Sequence, residues 1–534
     1  MPDPLIVTQH EVSEWRFQSR HAYADPFNEV ELDALIAGPD GQAWRVPAFW
    51  AGGQEWCLRF APPLPGDYTL TTACTDTANP SLHGQVHHFQ AQPYSGSNPL
   101  LAHGPLRVAA NRRTLEHADG TPFFWMGDTW WMGLCRRLRW PEDFKQLTAE
   151  RVGKGFSLVQ IVAGLYPDMP GFDPRGANEG GFPWEPDYAR INPAYFDAAD
   201  PRMAWLAGAG LVPCIVGSWG YYLPIMGPAK IKQHWRYMIA RWGAYPVAWC
   251  LAGEAASPYY LTMDRERDIQ IQISGWIDVA RYIRQTDPYQ RLLTVHAAPP
   301  ICDLVQSEQL LDVNLIEPAH GGEEILIASV DLIQRAYGSQ PPMPALIDEI
   351  SYEGILHYSG AEVQRFGFWT ALLSGAAGHT YGANGLWQMN TPAEPFGASP
   401  WGGNWGNLPW DEAAALPGSA QMGLARRLLE RFEWWRFEPH QEWVSPAGSP
   451  AQIKWPFAAG IPGVVRVIYL YWPNFDTYRP TVQQLEPGLT YTAYFWDPRT
   501  GEEYPLGSVT ADATGVWPIP MQPVLTDWVL VLKH

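Results

Sequence analysis

Two glutamates, Glu254 and Glu349, each close a short apolar run: "VAWCLAGE" over 247–254 and "ALIDE" over 345–349. Ending an apolar strand in a carboxylate is costly, because a charge beside a core loses hydration that packing does not return. Paired carboxylates have one chemistry that answers to such a placement. One protonates a leaving glycosidic oxygen while the other attacks the anomeric carbon or activates water, and the oxocarbenium-like transition state is stabilised by negative charge beside it. The competing expectation is that both glutamates pair with arginines at the base of a loop. Asp348 is expected on the opposite face of its strand, in a structural role, through the two-residue alternation of side chains. Glu353 lies beyond the strand and is expected to bond a sugar hydroxyl or brace Glu349.

These residues need elements that bring them to one place. Eight apolar runs in the middle of the chain read as strands: 123–127, 156–164, 211–219, 247–254, 291–297, 312–320, 345–349 and 378–387. Between them lie amphipathic stretches such as "PEDFKQLTAERVGKG", "FDAADPRMAWLAGAG", "AKIKQHWRYMIARWG" and "DIQIQISGWIDVARYIRQTD", and "SAQMGLARRLLERF" follows the last. Alternation of this kind predicts an α/β chain whose centre is a (β/α)8 TIM barrel. Its weakest join is the fifth to the sixth strand, where "ICDLVQSEQLL" offers only a short helix. Before Pro99 and after Glu433, period-two runs punctuated by "PDG", "PGD" and similar turns predict antiparallel strands. The expected organisation is therefore an N-terminal β-sandwich over 1–98, the barrel over 99–430 and a C-terminal antiparallel β-sandwich over 431–534. The joins lack long Ser/Thr- or Pro-rich linkers, and the second carries Phe432, Trp434, Trp435 and Phe437, which predicts packed interfaces.

In such barrels the chemistry sits at the C-terminal ends of the strands. Those ends offer Asp128, Gln160, Trp219, Glu254, His296, Glu317 or His320, Glu349, and His379 with Tyr381. Glu254 and Glu349 are the expected catalytic pair. The expected substrate-binding set is Asp128, Trp131, Gln160, Trp219, His296, His320, Tyr352, Glu353, His379 and Tyr381. Trp184 and the Trp401, Trp405 and Trp410 of "PWGGNWGNLPW" could stack on sugar faces or plug the barrel. His296, His320 and His379 could bind a metal, but strand-end imidazoles more often orient substrate. The chain has no H-E-x-x-H, G-x-S-x-G, Walker loop or dinucleotide fingerprint, so neither metal nor cofactor is expected.

The net charge of -19 argues against nucleic acid or an anionic membrane as partner. Residues 206–229 and 366–393 lack Asp, Glu, Lys and Arg, but Gly and Pro interrupt them, so buried strands and loops are expected rather than membrane spans. "MPDPLIVTQHEVSEW" shows no signal peptide, so a cytoplasmic protein is expected, with export left open if a leader was removed. The six cysteines have no zinc spacing. Buried thiols are expected, with Cys57 and Cys74 pairing only in an exported protein. An oligomer is compatible with the sequence.

"FFWMGDTWW", "DYARINPAYFDAADPRMAWLAGAGLVPCIVGSWG", "EISYEG" and "GAAGHTYGANGLWQ" resemble the central domain of the apiosidase-like glycoside hydrolases, glycoside hydrolase family 140 and its relatives. "DPFNEVELDA" and "GDYTL" are similar to the β-sandwich that precedes that barrel. "WDPRTGE" and "DWVLVL" resemble the family's C-terminal β-domain, of the type labelled collagen-binding. The resemblance implies a retaining exo-glycosidase acting on a plant or microbial glycan, with the strand-four carboxylate as acid/base and the strand-seven glutamate as nucleophile. Those roles fall on Glu254 and Glu349. Two segments depart from the family: "LAGEAA" has glutamate where aspartate is usual, and "EPAH" stands where relatives tend to carry Gln-Ser-Gly-His. His320 carries over, Glu317 enters the pocket wall, and the identity of the sugar does not carry over. The alternative is a carbohydrate-binding protein on a barrel that has lost its hydrolytic activity.

Overall fold

The computed structural model describes residues 5–297, 305, 308–471 and 479–534. Eight parallel strands close into a barrel: Trp125–Thr129, Leu158–Val162, Val212–Val216, Ala248–Gly253, Leu293–Ala297, Asn314–Ile316, Ala345–Ile347 and Gly378–Tyr381. Seven of them fall inside the expected runs, because strands covered on both sides need apolar side chains on both faces, whereas the first overlaps its expected run 123–127 and continues to Thr129. The first pairs with the second and the eighth, which closes the ring. The sixth and seventh contain three residues each, so ladder pairing stops at Ile316 and Ile347 and the residues beyond leave the sheet. The fourth shifts register between Cys250 and Gly253. Gly253 then bridges Trp219, where a Cβ would stand 2.3 Å from the indole ring, so only glycine admits that close approach.

Glu142–Lys154, Pro193–Gly208, Pro228–Trp242, Arg265–Thr286, Glu323–Gly338, Ala361–Leu372 and Pro417–Leu429 form helices outside the barrel. Cys302 and most of "ICDLVQSEQLL" lie outside the described residues. The two charge-free segments are not only strands and loops. They include the end of Pro193–Gly208, the short helix Tyr222–Met226 and the second half of Ala361–Leu372. Ala361–Leu372 is buried on nearly every side, so its inner half carries no charge. Among the described residues no helix is long and apolar enough to cross a membrane.

On the N-terminal side, a five-stranded and a three-stranded sheet enclose Trp15, Trp56, Phe60, Tyr68 and Phe89. Leu5–Thr8 pairs in parallel with Val86–Gln92, an exception to the antiparallel pattern expected there. A further small sheet of Leu106–Val108, Leu115–His117 and Pro122–Phe123 precedes the barrel, so Phe123 belongs to that sheet and the first barrel strand begins at Trp125. On the C-terminal side, a six-stranded and a three-stranded antiparallel sheet face each other. Cys57 and Cys74 are buried, unbridged thiols.

One apolar core runs from Phe49 and Cys57 through the barrel to Tyr469, Trp496 and Val531. Trp434 sets its ring edge-on to Phe124 at 4.8 Å. Arg59 reaches Asp200 at 2.5 Å on the N-terminal side, and Arg365 makes two bonds to Asp527, at 2.7 and 2.8 Å, on the C-terminal side.

Candidate active site

A cavity of about 300 Å³ opens at the C-terminal end of the barrel strands. Glu254, Glu317, Glu349 and Asp168 put carboxyl groups into its wall, and Trp131, Trp219, Tyr260, Tyr352, Trp387 and Trp405 put rings there. Among the described residues, no lysine or arginine lines it. Flat rings interleaved with acids suit a ligand that has apolar faces and a rim of hydroxyls.

Glu349 is placed by the early end of its strand. Its Oε1 lies 2.8 Å from His320 Nε2, and its other oxygen accepts a hydrogen bond from the Tyr352 hydroxyl. Trp131 Nε1 donates to that hydroxyl at 2.8 Å, so an indole on the first βα loop fixes the group that fixes Glu349. Burial alone would raise the Glu349 pKa. The hydrogen bond and charge of His320, the charge of His296 and the Tyr352 hydroxyl outweigh burial and leave it lowered. The result is an ionised, aimed carboxylate.

Glu254 follows the register shift of the fourth strand and takes a left-handed backbone, with φ of 42°. Non-glycine residues hold that conformation only where the surroundings enforce it, and such positions concentrate at functional sites. Its pKa is raised, first by burial and then by the negative charge of Glu349, against the pull of His296, Trp219 and His320. One pocket thus drives two carboxyls in opposite directions, the kind of separation that acid–base chemistry by a carboxyl pair requires.

Beneath them lies a buried polar row. Gln160 Nε2 donates to Asp348 Oδ1 at 2.5 Å, and Asp348 Oδ2 meets His296 Nδ1 at 2.5 Å. His296 Nε2 stands 3.5 Å from both Glu317 and Glu349. Burial would lower the His296 pKa, but Glu317, Asp348 and Glu349 push it up to about 10. Burial raises Glu317 well above the usual carboxylate range, and Glu254 and Glu349 add to this while His296 opposes it. The donors of His296, Glu317 and Glu349 lie within 4.8 Å of one another, close enough to surround a metal ion. Asp348 holds His296 Nδ1, and the carboxyls of Glu317, Asp348 and Glu349 favour the protonated ring, which would carry a positive charge at this point. Asp348 does not alternate to the outer face. Pairing has stopped at Ile347, the period-two rule no longer applies, and its side chain crosses the barrel interior to Gln160.

Of the anticipated binding residues, Trp131, Trp219, His320 and Tyr352 line the cavity with Glu254 and Glu349. Gln160 and His296 lie one layer below, fully buried. Asp128, Glu353, His379 and Tyr381 do not line it, because each points outward into the strand–helix layer. Asp128 pairs with Arg151 at 2.5 Å and accepts from Trp130 Nε1 at 2.6 Å. Tyr381 donates to Glu353 at 2.6 Å, and Glu353 also accepts from the Gly418 amide at 3.0 Å, which ties the eighth strand to the last helix. His379 packs against Phe368, and burial drives its pKa down to about 3, so it stays neutral.

Trp405 lines the wall and Trp401 sets its ring against it at 5.5 Å, whereas Trp184 and Trp410 are buried away from the cavity. Asp168, Tyr260 and Trp387 were not anticipated. Trp387 closes the eighth apolar run and Tyr260 sits in the aromatic pair of "SPYYL". Asp168 had no such signal. It is buried, has φ of 58° and accepts a hydrogen bond from Ser399, which joins the loop after strand two to the loop after strand eight.

Residues 109–436 match the profile described as "Apiosidase-like, catalytic domain", and residues 6–75 match a domain of unknown function, DUF5060. No curated protein matches the chain. Among solved structures, one described as a glycoside hydrolase is 20% identical over 82% of this chain and 99% of its own, with a TM-score of 0.65. A glycoside hydrolase family 5 protein from Bacteroides vulgatus is 18% identical over 82% of this chain and 96% of its own, with a TM-score of 0.67. A candidate glycoside hydrolase from the same bacterium is 16% identical over 99% and 100% of the two chains, with a TM-score of 0.69. At these identities the likeness is one of fold.

Proposed function

Because the chain belongs to the apiosidase-like family, we propose that it is a retaining, exo-acting glycoside hydrolase with Glu349 as nucleophile and Glu254 as acid/base. The observation that carries this reading is the opposite drift of the two carboxyls: Glu349 held ionised by His320 and Tyr352, Glu254 pushed toward its neutral form by burial and by Glu349. In the first step Glu349 attacks the anomeric carbon while Glu254 gives its proton to the glycosidic oxygen. The leaving group departs as an alcohol and a glycosyl ester remains. In the second step Glu254 takes a proton from water as that water attacks the same carbon, which frees the sugar and restores both carboxyls. A cavity large enough for a terminal residue and ringed by Trp131, Trp219, Trp387 and Trp405 supports the exo-acting part of this reading. On the same reading the chain stands with glycoside hydrolase family 140, and its last β-module is the collagen-binding-type domain of that family.

A panel of 4-nitrophenyl pyranosides and furanosides, followed by proton NMR of the first-formed anomer, tests this. Release of a sugar with the anomeric configuration of the substrate is the expected result, and inversion would remove the nucleophile role from Glu349. Calorimetric binding of oligosaccharides with no product at any pH would favour a carbohydrate-binding protein instead.

A further inference from the structure

Two-carboxylate chemistry leaves Glu317 without a task, yet this residue lines the cavity beside both Glu254 and Glu349. It follows directly on the three-residue sixth strand, where the backbone has left the sheet. Its carboxyl oxygen, a Glu349 oxygen and a ring nitrogen of His296 lie within 4.8 Å of one another. His296 Nε2 is 3.5 Å from each carboxylate and, among the described residues, has no hydrogen-bond partner although it is fully buried. Its ring cannot turn away, because Asp348 holds Nδ1 at 2.5 Å and Gln160 holds Asp348 at 2.5 Å. A fixed donor is thus aimed from below at the gap between two carboxyl groups.

A nucleophilic oxygen acts on its carbon from about 3–3.5 Å. A second carboxyl within 4.8 Å of that oxygen is therefore near enough to reach the substituent on the ring carbon next to the anomeric one. A hydroxyl at that position can give and take a hydrogen bond, which is what a carboxyl above a charged imidazole offers in return. We infer that Glu317 is a substrate-binding residue that hydrogen-bonds the 2-hydroxyl of the glycone, with His296 as the positioning residue beneath it. The site consequently requires a free hydroxyl at that carbon and turns away sugars with hydrogen or an acetamido group there. This inference rests on the retaining-hydrolase reading, and wild-type turnover tells the failure of one from the failure of the other.

The experiment takes the best 4-nitrophenyl glycoside of the panel with its 2-deoxy and 2-acetamido counterparts, and measures kcat/KM for the full-length wild type, Glu317→Ala and Glu317→Gln. The wild type is expected to lose about ten-thousandfold on the 2-deoxy analogue, the size of loss seen when a site built around a hydroxyl meets a substrate lacking it. Glu317→Ala should fall steeply on the parent and by less than about threefold on the 2-deoxy analogue, while Glu317→Gln recovers part of the preference. A merely structural residue would depress both substrates by the same factor, and that result would overturn the inference. If the alanine variant fails to fold, the wild type alone decides: turnover of the 2-deoxy or 2-acetamido analogue as fast as the parent refutes it. Loss of activity in EDTA, restored by a divalent cation, would place a metal in the trio and overturn it as well. A wild type inert on the whole panel would overturn the hydrolase reading and this inference together.

Discussion

Glu254 and Glu349 share one pocket, and their neighbours decide which of them keeps its proton. Removing the Glu254 carboxyl should stop protonation of poor leaving groups but spare activated ones. Glu254→Ala is therefore expected to lose at least about a thousandfold, or about 4 kcal/mol, on an unactivated glycoside. It should retain the first step on a 2,4-dinitrophenyl glycoside and be rescued by azide, with a glycosyl azide as product. Glu349→Gln should be inactive on both substrates with unchanged circular dichroism. The pH profile follows from the same directions. Glu349 must be ionised and Glu254 protonated in the free enzyme, so kcat/KM should be bell-shaped, with Glu349 setting the acid limb and Glu254 the alkaline limb. Tyr352→Phe deletes a hydrogen bond that lowers the Glu349 pKa. That pKa must rise, and the acid limb should move to higher pH. An acid limb that stays in place in Tyr352→Phe would assign it to another group.

Loops rather than strands carry much of the cavity wall. Asp168, on the loop after the second strand, accepts from Ser399, which opens the loop that brings Trp405 to the cavity. Ser399→Ala should therefore loosen the Trp401–Trp405 segment without touching Glu254 or Glu349. Expected outcomes are a several-fold rise in KM with little change in kcat, and easier acrylamide quenching of tryptophan fluorescence. A drop in kcat at constant KM would show that the loop acts on the carboxyl pair and not on sugar binding.

The flanking sheets share a core with the barrel and are clamped to it by ion pairs. Arg365, on helix Ala361–Leu372, and Asp527, ahead of the last strand, are both nearly inaccessible, and Tyr469 donates to the same Asp527 oxygen at 3.0 Å. Breaking such a pair leaves a charge buried without its partner, so Asp527→Ala is expected to cost about 3–5 kcal/mol. In calorimetry the barrel and C-terminal module should melt in one transition, at a lower temperature in the variant. We propose that the chain divides near 98 and 430 and that both outer modules are scaffolding. A soluble 99–430 fragment with unchanged melting and full activity would refute that.

The barrel and the two outer β-modules were legible in the linear pattern. Apolar strands alternating with amphipathic helices, and turn-punctuated period-two runs, are set by local burial requirements that composition records directly. Glu254, Glu349, Trp131, Trp219, His320 and Tyr352 were legible for a related reason, since strand ends in this architecture fall at one mouth. What sequence could not supply was which way each strand-end side chain turns. One residue of register separates a wall from a strand–helix contact, and Asp128, Glu353, His379 and Tyr381 lie on the outward side. The early ends of the sixth and seventh strands freed Glu317 and Asp348 from alternation. Asp168 is tied into the site by long-range partners, Ser399, 231 positions away in the chain, and the indoles of Trp401 and Trp405. Opposed pKa shifts in two like carboxyls arise from burial and from neighbours brought in by other strands, so the tertiary structure alone decides them.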